Sequence, residues 1–238
     1  MATYLLAHGA WQGGWAWKKV AAALRASGHE VFTPTYTGLG ERAHLGHSGV
    51  TLDTHIDDIC GVFEAEDLTH VILAGHSYGG TVITGAAERV ADRLDAMVYV
   101  DAFLPRDGES SFSRMDEGAV AAIKKAAEEK GGGWRVPPRT AEFNRIRDAA
   151  DRVLYDTHVV GHPIGCMAQP IKHTNAWQKV RHLVYVHCTE NTPSPFGAIA
   201  AKLKDDTAWK MHELPCGHIA MLDMPDELAE ILGSVAAR

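Results

Sequence analysis

Short runs of apolar residues alternate along this chain with longer segments in which apolar positions recur every three or four residues. The short runs predict strands, which lie at residues 3–7, 30–33, 71–74, 96–100, 182–187 and 209–213. The longer segments predict helices, which lie at residues 15–27, 51–66, 81–88, 195–204 and 225–235. Strands that alternate with helices build a parallel sheet covered on both faces. The pattern therefore predicts an α/β fold.

The alternation stops between residues 102 and 181, where no clear strand is found. We predict a charged helix at 113–130, a flexible joint at 131–133 and a second helix at 140–150. A long insertion in a compact domain is usually functional, and this one has large apolar residues to bury, namely Trp134, Phe143, Tyr155, Met167 and Trp177. We expect one domain over 1–238, with a core at 1–105 and 182–238 and a helical lid at about 106–181.

One stretch carries a specific chemical signal. The apolar run at 71–74 is followed by Gly75-His76-Ser77-Tyr78-Gly79-Gly80 and then by a helical segment. Strand, Gly-x-Ser-x-Gly and helix is the pattern of a nucleophile elbow, in which a serine sits on a strained turn and glycines avoid a clash beside it. The pattern predicts Ser77 as a nucleophile.

A serine hydroxyl needs a base, and His218 follows the last predicted strand, where the chain order serine, acid, histidine places it. The acid has two candidate positions. Asp101 stands directly after the strand at 96–100, and Glu190 and Asn191 follow the strand at 182–187. Asn191 could orient an imidazole but has no charge with which to stabilise an imidazolium. We favour Asp101 and leave the later pair as the alternative.

An oxyanion hole requires two backbone amides. The residue after the nucleophile, Tyr78, supplies one, and the loop after the first strand, His8-Gly9-Ala10-Trp11, should supply the other through Ala10. We interpret His8 as a residue that holds this loop.

Composition excludes several other classes of function. A net charge of −7 argues against nucleic acid and anionic membranes. The four cysteines are scattered, which is typical of free thiols in a reducing compartment, and no signal sequence or run of about 20 apolar residues is present. We expect a cytoplasmic protein.

Cofactor and metal motifs are weak. Residues 38–43 match G-x-G-x-x-A but do not join a strand to a helix, and no phosphate-binding loop follows the P-loop pattern. His158 and His162 are four apart, but Gly161 and Pro163 break any helix that would align them. We therefore expect neither cofactor nor metal.

Several motifs together resemble the α/β-hydrolase superfamily: the elbow, Gly38-Leu39-Gly40, Asp101-Ala102-Phe103-Leu104-Pro105 and Gly217-His218-Ile219. The opening His8-Gly9-Ala10-Trp11-Gln12-Gly13-Gly14-Trp15 resembles more closely the branch of plant methylesterases, such as the salicylate-binding esterase, the hydroxynitrile lyases and their bacterial esterase relatives. The resemblance implies an eight-strand sheet with the site at its carboxyl edge. It also implies that Phe103 lines the acyl pocket.

The chain departs from this branch at two places. The plant members carry their acid in a Cys-Thr-Glu-Asp segment, whose aspartate is Asn191 here, which favours Asp101. The lyases carry a lysine after the histidine and a threonine in the first loop, where this chain has Ile219 and Gly9. The groups that handle cyanide are therefore missing.

We predict a serine carboxylesterase with no cofactor, acting on small apolar or aromatic esters or a related amide or carbamate. The expected pocket residues are Trp11, Phe103, Trp134, Met167 and Ile219. A receptor-like binding protein with little turnover is the alternative, and a hydroxynitrile lyase is the weaker one. We leave the oligomeric state open, with a homodimer as the candidate.

Overall fold

Six parallel strands form the central sheet of the computed structural model, which describes residues 1–236. The strands are β1 (Thr3–Ala7), β2 (Glu30–Phe32), β3 (Val71–His76), β4 (Leu94–Val100), β7 (His182–Cys188) and β8 (Trp209–Leu214). Their order across the sheet is β2-β1-β3-β4-β7-β8. A separate two-stranded antiparallel pair is formed by β5 (Arg135–Val136) and β6 (His162–Pro163).

The α/β fold is thus confirmed, but the eight-strand sheet is wrong for the described residues. The six strands of the sheet are the six that the apolar runs predict, and the count of eight came only from the resemblance. The segments between these strands form helices, turns and the small β5–β6 pair, so the described chain holds no further segment for the sheet.

Nine α-helices are found among residues 1–236. They are α1 (Lys18–Ala26), α2 (Leu52–Ala65), α3 (Gly79–Val90), α4 (Glu117–Lys130), α5 (Ala149–His158), α6 (Ile164–Ala168), α7 (Pro195–Leu203), α8 (Ala220–Asp223) and α9 (Pro225–Ala236). Short 3₁₀ turns lie at Gly14–Trp17, Gly40–Leu45, Ala91–Arg93, Phe112–Arg114 and Ala176–Lys179.

The inserted segment, residues 106–181, differs from its prediction in two ways. The helix expected at 140–150 is wrong, because residues 141–145 form turns and Arg145 has a φ of 58° that no α-helix accepts. The helix begins only at α5, where the side chain of Asp148 accepts a hydrogen bond from Asp151 N. The β5–β6 pair also lies in this segment, for which no strand was predicted.

Alternate residues of the strands build two separate cores. In β1, Leu5 and Ala7 point to the face that α2 and α3 cover, and Tyr4 and Leu6 point to the face that α1 and α9 cover. This alternation follows from the two-residue period of a strand. Because both faces are buried, the central strands are continuous apolar runs.

The register of β3 and β4 positions the site. His76 pairs with Val100, so the two residues that follow, Ser77 and Asp101, leave neighbouring strands at the same edge. Both have positive φ, 54° for Ser77 and 43° for Asp101. The chain therefore turns sharply at both positions and brings the two side chains to one edge of the sheet.

We predict that Leu73→Ala lowers the free energy of unfolding by about 2–5 kcal/mol, because Leu73 is fully buried in β3 and its loss leaves a cavity. Urea denaturation followed by circular dichroism measures this. Val153→Ala, at a side chain that is 67% exposed, is the control and should change stability by about 0.5 kcal/mol or less. Equal effects of the two substitutions would contradict the assignment of β3 to the core.

Candidate active site

The turn at Ser77 is held by close backbone packing. Ser77 joins β3 to α3 in a left-handed conformation that is strained for a serine. A Cβ atom at Gly75 would lie 2.7 Å from Gly79 O, and a Cβ at Gly79 would lie 2.7 Å from His8 O. Neither position accepts a side chain, which explains why glycine stands two residues on either side of the serine.

Three side chains form a continuous hydrogen-bond chain at this edge. Ser77 Oγ lies 2.9 Å from His218 Nε2, and His218 Nδ1 lies 2.7 Å from Asp101 Oδ2. The chain is satisfied when Nδ1 carries the ring proton and donates it to the carboxylate, leaving Nε2 to accept from the serine hydroxyl. Asp101 is fully buried, and the side chain of His218 is 14% exposed. The predicted nucleophile, base and acid are therefore brought together.

The alternative acids occupy other positions. The carboxylate of Glu190 accepts a hydrogen bond from Arg147 Nη2 at 2.5 Å, and both side chains are about half exposed. Asn191 does reach the site, but as a donor: its Nδ2 lies 2.6 Å from Asp101 Oδ2. The geometry thus favours Asp101 over Glu190 as the partner of His218.

The loop that carries His218, the histidine loop, is held by two backbone hydrogen bonds and one ring contact. His218 N donates to Asn144 O at 3.2 Å, and His218 O accepts from His76 Nε2 at 2.9 Å. The ring of Phe196 stacks on the imidazole at 5.0 Å with an interplanar angle of 9°. Phe196 was missed by the sequence analysis, because its position one residue into a predicted helix carries no signal of a contact with a distant histidine.

The two predicted oxyanion donors lie on loops next to the serine. Ala10 is buried on the loop after β1, and Tyr78 is the residue that precedes α3. In that loop Gly9 N donates to Gln12 Oε1 at 3.1 Å. Within residues 1–236 the amides of Ala10 and Tyr78 donate to no other protein group, so both are free for a ligand.

Two of the predicted pocket residues are partly exposed beside the site. The ring centres of Phe103 and Phe196 lie 4.8 Å apart, and the guanidinium carbon of Arg114 lies 4.2 Å from the centre of the Phe103 ring. Trp11 has a φ of 66° and donates from Nε1 to Val136 O at 2.9 Å. Trp11 therefore links the oxyanion loop to β5 of the inserted segment.

The other three predicted pocket residues are placed differently. Trp134 packs over Gly46, where a Cβ would lie 2.9 Å from the ring. Met167 is buried in α6, in the core on the α2 and α3 face. Ile219 is fully buried in the opposite core, which α1 and α9 cover. We correct the prediction for Ile219, because its side chain packs into that core.

Buried histidines surround the oxyanion loops. Burial lowers the pKa of His8 to about 3 and that of His55 to about 4. Burial also lowers the pKa of both His76 and His162 well below the usual value. All four rings are therefore neutral in the folded protein at pH 7. His8 holds its loop as expected, since Nδ1 bonds Gly9 O at 2.8 Å and Nε2 accepts from Tyr36 N at 3.2 Å.

One group of side chains has the donor types of a metal site. Ligand atoms of His55, His162 and Cys166 lie within 4.8 Å of one another. Both nitrogens of His55 already have partners, because Nδ1 lies 3.0 Å from the Tyr78 hydroxyl and Nε2 lies 3.0 Å from Thr37 O. Burial raises the pKa of the Cys166 thiol to about 12, and its Sγ lies 3.8 Å from Val50 O, so the thiol also has a protein partner. We interpret this group as a support for Tyr78, in which His55 bonds the hydroxyl and the His162 ring contacts the Tyr78 ring edge to face at 4.8 Å.

The chain is similar over most of its length to a known family and to known proteins. Residues 4–231 match the model of the alpha/beta hydrolase family. A carbendazim hydrolyzing esterase of Nocardioides sp. (strain SG-4G) is 40% identical over 99% of this chain and 100% of its own length. Methylesterase 10 of Arabidopsis thaliana is 23% identical over 99% of this chain and 92% of its own.

A solved structure is similar over the same length. It is an extracellular α/β-hydrolase from a Paenibacillus species that shares structural and functional homology with tobacco salicylic acid binding protein 2. Its TM-score is 0.86 at 23% identity, with 99% of both chains covered, so it supports the fold.

The chain belongs to the alpha/beta hydrolase family. Within that family it is a carboxylic ester hydrolase. No helix among residues 1–236 is both long enough and apolar enough to span a bilayer.

We predict that stability falls steeply with acidification below about pH 6.5, the pKa of an unfolded histidine. The folded pKa values of the four buried histidines are lowered, so the unfolded state binds more protons and each histidine's contribution is lost as pH falls. For His55 the loss runs from about pH 6.5 to about pH 4. Each group costs about 1.4 kcal/mol per pH unit once its unfolded form is protonated.

Urea unfolding at pH 7.5, 6.0 and 5.0 measures this slope. His162→Phe should reduce the slope by about one proton, whereas His70→Gln, at a side chain that is 83% exposed, should leave it unchanged. A stability independent of pH between 7.5 and 5.0 would show that the buried rings are not neutral.

Proposed function

We propose that this protein hydrolyses small aromatic or apolar esters through an acyl-enzyme on Ser77. The observation that carries the proposal is the hydrogen-bond chain from Ser77 Oγ through His218 to the buried carboxylate of Asp101, with steps of 2.9 and 2.7 Å. A serine, a neutral imidazole and a carboxylate in this order are what serine-based acyl transfer requires.

Acylation begins when Ser77 Oγ attacks the ester carbonyl carbon and His218 Nε2 takes the hydroxyl proton. The carbonyl oxygen becomes an oxyanion, which the free amides of Ala10 and Tyr78 stabilise. The N-terminus of α3 adds a positive partial charge at the same place. His218 then gives its proton to the leaving alcohol, and the ester bond breaks.

Deacylation repeats these steps with water. His218 Nε2 takes a proton from the water as its oxygen attacks the acyl carbon, and returns that proton to Ser77 Oγ when the acid leaves. Asp101 holds the imidazole in the reactive tautomer and stabilises the imidazolium by its charge. Because Asp101 is fully buried and the side chain of His218 is only 14% exposed, water screens this interaction weakly.

The walls beside the site favour an uncharged, flat substrate. Phe196 is buried against the imidazole and Phe103, and the partly exposed ring of Phe103 presents an aromatic surface beside the site. A substrate ring can stack on such a surface with its ester carbonyl over Ser77. The names of the two relatives, a carbendazim hydrolyzing esterase and a methylesterase, support small esters of this kind, and we propose carbendazim as a substrate to test.

We further propose that the inserted segment acts as a lid over this site. Two contacts support this role: Val136 O accepts from Trp11 Nε1 beside the oxyanion loop, and Asn144 O accepts from the amide of His218. A cytoplasmic location is also proposed, with the support of four buried cysteines that are unpaired.

We predict that Ser77→Ala removes hydrolysis of a short-chain aryl ester and leaves the fold intact, because the attacking oxygen is lost. Asp101→Asn should lower kcat by about 10⁴-fold, since the amide cannot stabilise the imidazolium by charge. Release of the aryl alcohol, followed by absorbance, gives kcat and KM for each variant.

Glu190→Gln is the matched control, because its carboxylate bonds Arg147 on the surface, and it should keep turnover within a few-fold. Wild-type turnover in Ser77→Ala would overturn the mechanism. A wild type that binds aromatic ligands without turnover would favour a receptor-like protein.

A further inference from the structure

Asp101 Oδ2 lies within hydrogen-bond distance of two neighbouring donors. His218 Nδ1 lies 2.7 Å from this oxygen and Asn191 Nδ2 lies 2.6 Å from it. The two nitrogens are 3.1 Å apart, which is a contact between two donors that share one acceptor. The other oxygen, Oδ1, accepts from Cys188 N at 3.2 Å. Asp101 is fully buried, whereas His218 and Asn191 are partly buried.

The identity of the Asn191 amide group follows from its partner. A carboxylate accepts hydrogen bonds and never donates one while ionised, so the atom 2.6 Å from it must be the NH₂ group. A hydrogen bond to a charged group is short and strong. Asn191 therefore fixes the orientation of the carboxylate that holds the catalytic imidazole.

The loop that carries Asn191 is itself held. Its backbone amide donates to Cys188 O at 3.1 Å, and the preceding amide of Glu190 donates to Cys216 O at 3.1 Å. Arg145 of the inserted segment donates to Glu190 O at 3.1 Å and to Thr192 O at 2.5 Å. The head group of Asn191 is thus presented to Asp101 by a fixed backbone.

We infer that Asn191 is a positioning residue of this active site, and that residues 101 and 191 form an exchangeable carboxylate–amide pair. The inference rests on the proposed function. An aspartate at 191 would place an oxygen about where Nδ2 now stands, 3.1 Å from His218 Nδ1. An asparagine at 101 would then donate to that oxygen and still accept from Cys188 N.

The exchange keeps the single charge and the hydrogen-bond partners that a buried site requires. One negative charge stays in the same buried site, and each polar atom keeps a partner, whereas a single Asp101→Asn change removes the charge. The imidazole then changes partner by moving toward the loop after β7 instead of the loop after β4. The site therefore holds two positions for its acid, of which this chain uses the earlier one.

The test compares kcat and KM of wild type, Asp101→Asn, Asn191→Leu and the exchange variant Asp101→Asn/Asn191→Asp on a short-chain aryl ester. Leucine has about the size of asparagine but no donor, so Asn191→Leu should lower kcat about 10- to 100-fold with little change in KM, the effect of one hydrogen bond to a charged group. The exchange variant should recover at least about 100-fold of the roughly 10⁴-fold loss in Asp101→Asn.

Circular dichroism and the melting temperature establish that each variant is folded, and Asn191→Ala replaces Asn191→Leu if the leucine does not fit. The inference is overturned if both Asn191 variants keep wild-type kcat, or if the folded exchange variant is as inactive as Asp101→Asn. Failure of the proposed function is a different result, since it would leave Ser77→Ala or Asp101→Asn as active as wild type.

Discussion

The register between β3 and β4 is the constraint on which the active site depends. Because His76 pairs with Val100, the next residue of each strand leaves the sheet at the same edge, and both turn with positive φ. A slip of one residue would send Ser77 and Asp101 to opposite faces. Apolar side chains on both faces of these strands hold the register, so burial far from the serine sets the geometry of the proposed reaction.

Around this edge the backbone is packed too closely for side chains, and the polar groups are placed to remain uncharged or paired. The glycines beside Ser77 allow β1, the elbow and the loop after β4 to meet. Neutral histidines support Tyr78 and the oxyanion loop without adding a positive charge that would compete with His218. The negative charge of Asp101 is then met by donors alone, from His218, Asn191 and Cys188.

The elbow, the six strands and the order of Ser77, Asp101 and His218 could be predicted because each depends on local pattern: apolar runs, glycine spacing and strand ends. The turns at 141–145 could not, because Arg145 adopts its left-handed backbone while its guanidinium contacts a loop distant in sequence. The contacts of Phe196 and of the Asn191 amide could also not be predicted from the sequence, since they are tertiary contacts. The resemblance misled in one respect, the number of strands, where the residue pattern was the better guide.

The inserted segment touches the oxyanion loop through Trp11 and the histidine loop through Asn144. In the proposed mechanism, substrate choice and reaction rate therefore depend on the same contacts. Library mutagenesis aimed at widening the substrate range would act on the same hydrogen bonds that align the reacting groups. Exchanging this segment wholesale between homologues would transplant part of the catalytic alignment along with the specificity.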